Sequence, residues 1–334
     1  FSQLLARHGD ARRACAALDA QGRRLADPGL VAAEVEAAQA LGGFHLALGD
    51  PGYPNLLAAL ADPPPLLVAA GDAGIAARPV VALVGARNAS AAGRGLAREL
   101  AEGLGAAGFV VASGLARGID AAAHRGALGT GTIGCVAGGI DIAYPPEHAE
   151  LQAEIAAGGL LLSEVPPGTE PQARHFPRRN RLIAGVACGV VVIEAAPGSG
   201  SLITARLAAE AGREVMAVPG HPADPRSRGG NGLIRDGAVL VESAEDVVAV
   251  LKPFALVAPE PQVPRRRRPE RPVTPRPVGA LEPRGEAALL DLLTTSGVTL
   301  DELVRASGLG AADLQAQLAD LELDSVGAIV LAVG

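Results

Sequence analysis

Arg174, Arg178, Arg179 and Arg181 crowd into one short stretch that also holds Phe176, Pro177 and Asn180. The apolar run Gly189–Ile193 and the turn Pro197-Gly198-Ser199-Gly200-Ser201 follow directly. Guanidinium groups neutralise a polyanion, and backbone amides at the head of a helix face a phosphate or carboxylate. Together these residue types could capture a polyanion. The layout reads as an arginine-dense loop, a buried parallel strand rich in β-branched residues, and a glycine/serine turn into a helix at Leu202. An arginine run alone is as readily a solvated face; the flanking Phe176, Pro177 and Asn180 favour binding.

Strands must deliver these groups to one place. Strand-like runs at 80–84, 110–113, 132–136, 160–163, 189–193, 214–218 and 238–241 alternate with helix-like ones, which predicts a doubly wound, mostly parallel α/β sheet. The runs are continuously apolar, as befits strands covered on both faces. Most are followed by glycine: Gly85, Gly114, Gly138-Gly139, Gly198, Gly220. In an open parallel sheet ligands sit beyond the carboxyl ends of the strands, so the turns bearing Arg87, Arg117, the Arg178 cluster and Ser199, Gly200 and Ser201 should converge in a basic, amide-lined cleft.

Three acidic or titratable residues near these turns invite a catalytic reading. Asp120 and His124 lie one helical turn apart, and we expect a side-chain pair that orders the Arg117 turn. Glu194, at a strand end, is expected to partner a cleft arginine.

Composition sets the frame. The chain has 334 residues, 49% of them hydrophobic, enough for one large domain with smaller ones beside it. No long uncharged apolar segment and no basic-then-apolar leader is present, which makes a cytoplasmic protein without a membrane role the expectation. Cys15, Cys135 and Cys188 are far apart and set among apolar residues, so they read as core residues and neither a metal site nor a disulfide is expected. The single lysine, Lys252, excludes a Walker-type phosphate loop. Net charge is −7, but polyanion binding depends on local clustering.

Residues 1–48 read as helices, and 49–252 as the sheet domain, entered through DPGYP and the apolar run 66–70. Residues 253–283 are rich in proline and arginine and read as an extended linker. From 284 to 334, three apolar helical patterns and a closing hairpin-like segment predict a winged helix. Its few cations, Arg284 and Arg305, favour contact with protein over DNA.

The chain resembles the DNA-processing protein A (DprA, also called Smf) family. The resemblance rests on VGAR at 84–87, SGLARGIDAAAH at 113–124, GGIDIAYPPEH at 138–148, SEVPPG at 163–168, HFPRRNRLIAGV at 175–186, SGSLITA at 199–205 and VPGHP at 218–222. It implies an extended Rossmann-like domain that binds single-stranded DNA, forms homodimers, and loads the recombinase RecA in natural transformation while displacing single-strand-binding protein; it implies no enzyme and no cofactor. By motif it carries phosphate contact to Arg87, Ser113, Gly114, Arg178, Arg179, Asn180, Ser199 and Ser201, and base stacking to Phe176. The helical N-terminus looks like a truncated form of the family's sterile-alpha-motif-like domain, and the C-terminus is similar to its winged helix.

Two other readings compete. A phosphoribohydrolase of the lysine-decarboxylase-like type has a similar glycine turn, but Thr204 stands where that family has its catalytic glutamate, leaving an oxocarbenium-like transition state without a charge partner. A dinucleotide-dependent oxidoreductase needs GxGxxG in the first turn, where this chain reads GARNAS.

Overall fold

The computed structural model describes residues 11–20 and 26–255. The expected linker arginines and winged helix lie outside the described residues. The described residues belong to one compact unit, 1–263.

Nine strands form one sheet: β1 Gly43–Ala47, β2 Leu66–Gly71, β3 Val80–Gly85, β4 Val110–Ser113, β5 Thr132–Cys135, β6 Leu160–Ser163, β7 Gly189–Ile193, β8 Glu214–Ala217 and β9 Val239–Leu240. Their order is β1-β2-β6-β5-β4-β3-β7-β8-β9. The strands from β6 to β9 in this order pair in parallel, whereas β2 is antiparallel to both β1 and β6. All seven anticipated parallel strands are present within a residue or two. β1 was not anticipated: residues 43–47 fall in the stretch read as helical. Phe44 and Leu46 pack against the core, and the strand pairs along its whole length with β2.

The helices are α1 Ala11–Ala20, α2 Pro28–Ala40, α3 Asn55–Ala58, α4 Ala91–Ala106, α5 Ile119–Ala127, α6 Ala149–Gly158, α7 His175–Val186, α8 Gly200–Glu210, α9 Arg228–Arg235 and α10 Ala244–Ala255. Alternate residues of each central strand face opposite sides. Val80, Ala82, Val84, Val190 and Val192 pack with Leu57, Leu182 and Ala205 of α3, α7 and α8. Val81, Leu83, Val191 and Ile193 pack with Leu100, Leu104, Ile119 and Leu251 of α4, α5 and α10. Burying one such aliphatic side chain contributes about 1.5–3 kcal/mol, and two covered faces make the continuous apolar runs obligatory. Among the described residues no helix is long and apolar enough to cross a membrane.

The chain enters the parallel sheet at β3, builds outward through β4, β5 and β6, then returns to the other side of β3 for β7 and β8. The turns after β3 and β7 therefore leave the sheet side by side toward opposite faces, and the crevice between them is the topological switch point where such sheets bind ligands.

Candidate nucleic-acid interface

Two adjoining hollows open at this edge. The larger, about 660 Å3, lies at the switch point and is lined by Gly85, Ala86, Arg87 and Asn88 after β3, by Ser199, Gly200, Ser201 and Thr204 at the head of α8, and by Phe176, Arg179, Asn180 and Ile183 of α7. The smaller, about 190 Å3, is lined by Gly114, Ala116 and Arg117 after β4 and by Val136, Gly138, Ile142 and Tyr144. Arg87, Ala116, Phe176 and Arg179 line both.

The segment expected as a loop is the start of α7. Pro177 stands in its first turn, where a missing N–H leaves no helical bond unmade. Helical spacing then decides which side chains meet the cleft. Phe176, Arg179, Asn180 and Ile183 recur at three- and four-residue intervals and share one face. Arg178, next to Arg179, turns away: it is exposed and lines a separate small hollow with Glu164 and His175. Arg181 donates to the Asp62 backbone carbonyl and reaches Glu164 at 2.7 Å, so it ties down the lead-in to β2. The cluster read in sequence as one patch is thus divided among three surroundings.

Phe176 is the hub. The Arg87 guanidinium lies 5.4 Å from its ring centre, that of Arg179 5.9 Å, and the Tyr144 ring 5.4 Å away at a 60° tilt. Arg87 is exposed. Arg179 is not: only 6% exposed, it donates to the carbonyls of Gly114 and Cys135. The carboxylate facing it is Asp120, which accepts from Gly114 N at 3.1 Å and Ala116 N at 3.4 Å. Burial works against both charges, raising the Asp120 carboxyl and lowering the Arg179 guanidinium, and their mutual attraction offsets part of this. Gly114 has no side chain because the Arg179 guanidinium occupies that space.

This buried unit corrects the direct contact expected of Ser113 and places Gly114 and Arg179 in the lining of the hollows. Ser113 is fully buried and donates its hydroxyl to Leu83 O at 2.6 Å. The Gly114 amide is spent on Asp120 and Arg179 Nη1 on backbone carbonyls, whereas Arg179 Nε is buried without a partner; Gly114 and Arg179 form the floor of the cleft and still line its hollows. Asp120 and His124 do not form the expected pair. Asp120 does order the turn that leads to Arg117, while His124 Nδ1 meets Thr132 Oγ1 at 2.7 Å. Arg117, exposed, pairs with Glu147.

The two turns flanking the switch point differ in what fills them. At the head of α4, Ser90 caps Gly93 N at 2.8 Å, and Glu194 accepts from both the Ser90 amide and its hydroxyl. Glu194 holds this position with a left-handed φ of 50°. The carboxylate expected to partner an arginine occupies the helix terminus where a nucleotide phosphate would otherwise sit, and its charge also acts at longer range on a cleft arginine, Arg226. At the head of α8, Ser199 makes no side-chain cap: its hydroxyl and that of Ser201 bond each other at 2.7 Å. The first amides of this helix are left without a side-chain acceptor, and Asn180 Nδ2 braces the turn through Gly200 O at 3.2 Å. Thr204, 2% exposed, brings a hydroxyl rather than a carboxylate to the cleft wall. Arg226, which also lines the larger hollow and is paired with Asp224, is not foreseen from sequence; nor are Tyr144 and Glu147. Among the described residues no cluster of three metal-ligating side chains occurs.

Comparison with known proteins fits this architecture. The chain is 42% identical over 198 residues to DNA processing protein DprA of Bacillus subtilis, covering 58% of this chain and 67% of the relative. It is 34% identical over 300 residues to protein Smf of Synechocystis, covering 82% and 75%. The crystal structure of DNA processing protein A from Streptococcus pneumoniae superposes with a TM-score of 0.63 at 41% identity, covering 67% of this chain and 78% of that one. DNA processing protein A from Helicobacter pylori, a structure concerned with that protein's single-stranded DNA binding mode, gives a TM-score of 0.58 at 29% identity, covering 63% and 96%. The DprA winged helix domain model matches residues 270–326, beginning inside the stretch read as a linker. With the DNA recombination-mediator protein A model matching residues 44–252, the chain belongs to that family.

Proposed function

We propose that this protein binds single-stranded DNA along the edge of the sheet and promotes the loading of RecA in natural transformation and recombination, displacing single-strand-binding protein as it does so. One observation carries the reading: an exposed guanidinium, Arg87, an aromatic ring, Phe176, and the uncapped head of α8 all open on one crevice at the switch point. Arg87 and the α8 amides supply phosphate contacts, while Phe176 supplies a stacking face that tolerates any base. No side chain on the cleft wall needs to read a base edge, so binding is expected to be largely independent of sequence. The DNA processing and single-stranded DNA binding named for its relatives support the same conclusion. Base-releasing hydrolysis is disfavoured, since Thr204 supplies no carboxylate where that chemistry requires one.

We further propose a homodimer as the working unit and a protein-contacting role for the winged helix. The first test is fluorescence anisotropy of a labelled oligo-dT titrated at several salt concentrations and competed with duplex of equal length. Tight, salt-sensitive binding that duplex competes for poorly supports the reading, and RecA loading onto DNA coated with single-strand-binding protein is then the next assay. Absence of binding overturns it.

A further inference from the structure

Three of the four arginines that line the cleft face a carboxylate. Arg179 faces Asp120 in the floor. Arg117 pairs with Glu147 beside the smaller hollow, and Arg226 with Asp224 beside the larger. Among the described residues Arg87 is the exposed one of the four without a close ion pair, although its charge also reaches Asp120. The floor pair is buried and holds the turn together, but the two outer pairs are accessible, with side chains 63% and 47% exposed in the first and 40% and 30% in the second.

The outer pairs are built from different parts. Glu147 belongs to a short turn, Pro146–His148, and reaches across to a residue 30 positions earlier in the chain. Asp224 grips its own neighbour, accepting from Arg226 Nε at 3.1 Å, Nη2 at 2.9 Å and the Arg226 amide at 2.9 Å. Such exposed pairs contribute little to folding. Their effect on a polyanion is larger in kind, because a neutralised guanidinium releases no counterion from a phosphate.

We propose that Glu147 and Asp224 act as electrostatic brakes on polyanion binding, each masking a guanidinium, Arg117 or Arg226, on either side of the Arg87 and Phe176 centre. The brakes confine the full positive charge of the accessible cleft to Arg87 and cap the affinity of the site, which suits a protein that must pass its strand on. In both pairs the arginine holds the carboxyl below the usual carboxylate range, so the brakes stay set through mild acid. This inference rests on the single-strand reading.

The experiment uses the full chain with labelled oligo-dT over a salt series and compares Glu147→Gln, Asp224→Asn, the double variant Glu147→Gln/Arg117→Ala, and Glu102→Gln. Glu102 is an exposed acid in the second half of α4, toward the far end of the sheet, and reports the general effect of removing one negative charge. Each brake variant is expected to tighten binding roughly threefold to tenfold at low salt and to steepen the salt dependence by about 0.7 of a log unit per log unit of salt, the increment for one added phosphate contact. Adding Arg117→Ala to Glu147→Gln should abolish its gain. Unfolding temperatures confirm that each variant is folded. If wild type binds and Arg87→Ala weakens it, yet Glu147→Gln and Asp224→Asn gain no more than Glu102→Gln, the brake inference is overturned and the single-strand reading stands. If wild type does not bind oligo-dT, both fall.

Discussion

Arg87 and Phe176 meet with the guanidinium 5.4 Å from the ring centre, one arriving on the turn after β3 and the other in the first turn of α7. The contact joins a charge to a stacking face, and the two contributions separate under salt. Arg87→Ala is expected to weaken oligo-dT binding and to flatten its salt dependence by about 0.7 log unit. Phe176→Ala should cost about 1–3 kcal/mol, a five- to 150-fold loss, with the salt dependence unchanged. Anisotropy titrations at four salt concentrations check both. A parallel shift in the two salt slopes would mean that the ring only positions Arg87.

Adjacent arginines in α7 should behave oppositely. Arg179 is buried over Asp120, so Arg179→Ala leaves a buried carboxylate without its countercharge, a change that typically costs about 3–5 kcal/mol. Arg178 is exposed, and Arg178→Ala should change folding stability by less than about 0.5 kcal/mol. Urea unfolding of the two variants decides the matter. Pairing Arg179→Met with Asp120→Asn should recover part of the loss, because the second substitution removes the stranded charge.

The contrast between these neighbours shows what sequence could and could not carry. Strands covered on both faces must be apolar throughout, which made β3 to β8 legible almost residue by residue, and glycine after most of them marked the ligand edge. The helical start of α7 was hidden by Pro177 and by its charge, since a helix with one buried face at the cleft and few apolar residues looks like a loop. Without the helix, Arg178 and Arg179 could not be told apart. The partners of Arg117 and Asp120 were invisible for another reason. They depend on which turn lies beside which, and strand order is not written in local periodicity. Glu194 is legible as a strand-end acid, but its engagement with Ser90 depends on β3 and β7 being neighbours.

Glycines at two positions give a test of packing against chain entropy. A methyl on Gly114 would overlap the Arg179 guanidinium and come within 2.9 Å of Asp120 Oδ2, so Gly114→Ala should destabilise by about 1–3 kcal/mol and disturb oligo-dT binding by moving the floor. Gly95, exposed in α4, has nothing within 4 Å of the added carbon. Gly95→Ala should therefore stabilise by about 0.4–1 kcal/mol, through the lower entropy of the unfolded chain. Thermal unfolding of the two variants should move in opposite directions.

His124 predicts a pH dependence whose sign follows from its hydrogen bonds. Thr132 spends its hydroxyl proton on Val111 O at 2.8 Å, so its oxygen must accept from His124 Nδ1, leaving Nε2 as the unprotonated nitrogen. That atom is buried without a partner. Burial, then the charge of Arg179, then His148 bring its pKa from 6.5 down to about 3, with the Ser113 backbone opposing weakly. The unfolded chain takes up the proton first, so stability is complete above pH 6.5 and is lost as pH falls toward 3. Between pH 7 and pH 5 the loss amounts to about 2 kcal/mol. Asp120, whose carboxyl is raised, contributes in the opposite sense and grows more stabilising as pH falls. Comparing His124→Asn with wild type isolates the histidine, because the asparagine amide can still donate to Thr132. Urea unfolding at pH 7, 6 and 5 should show the variant less stable at pH 7 and the gap closing as pH drops. A gap that stays constant would assign the acid sensitivity to another group.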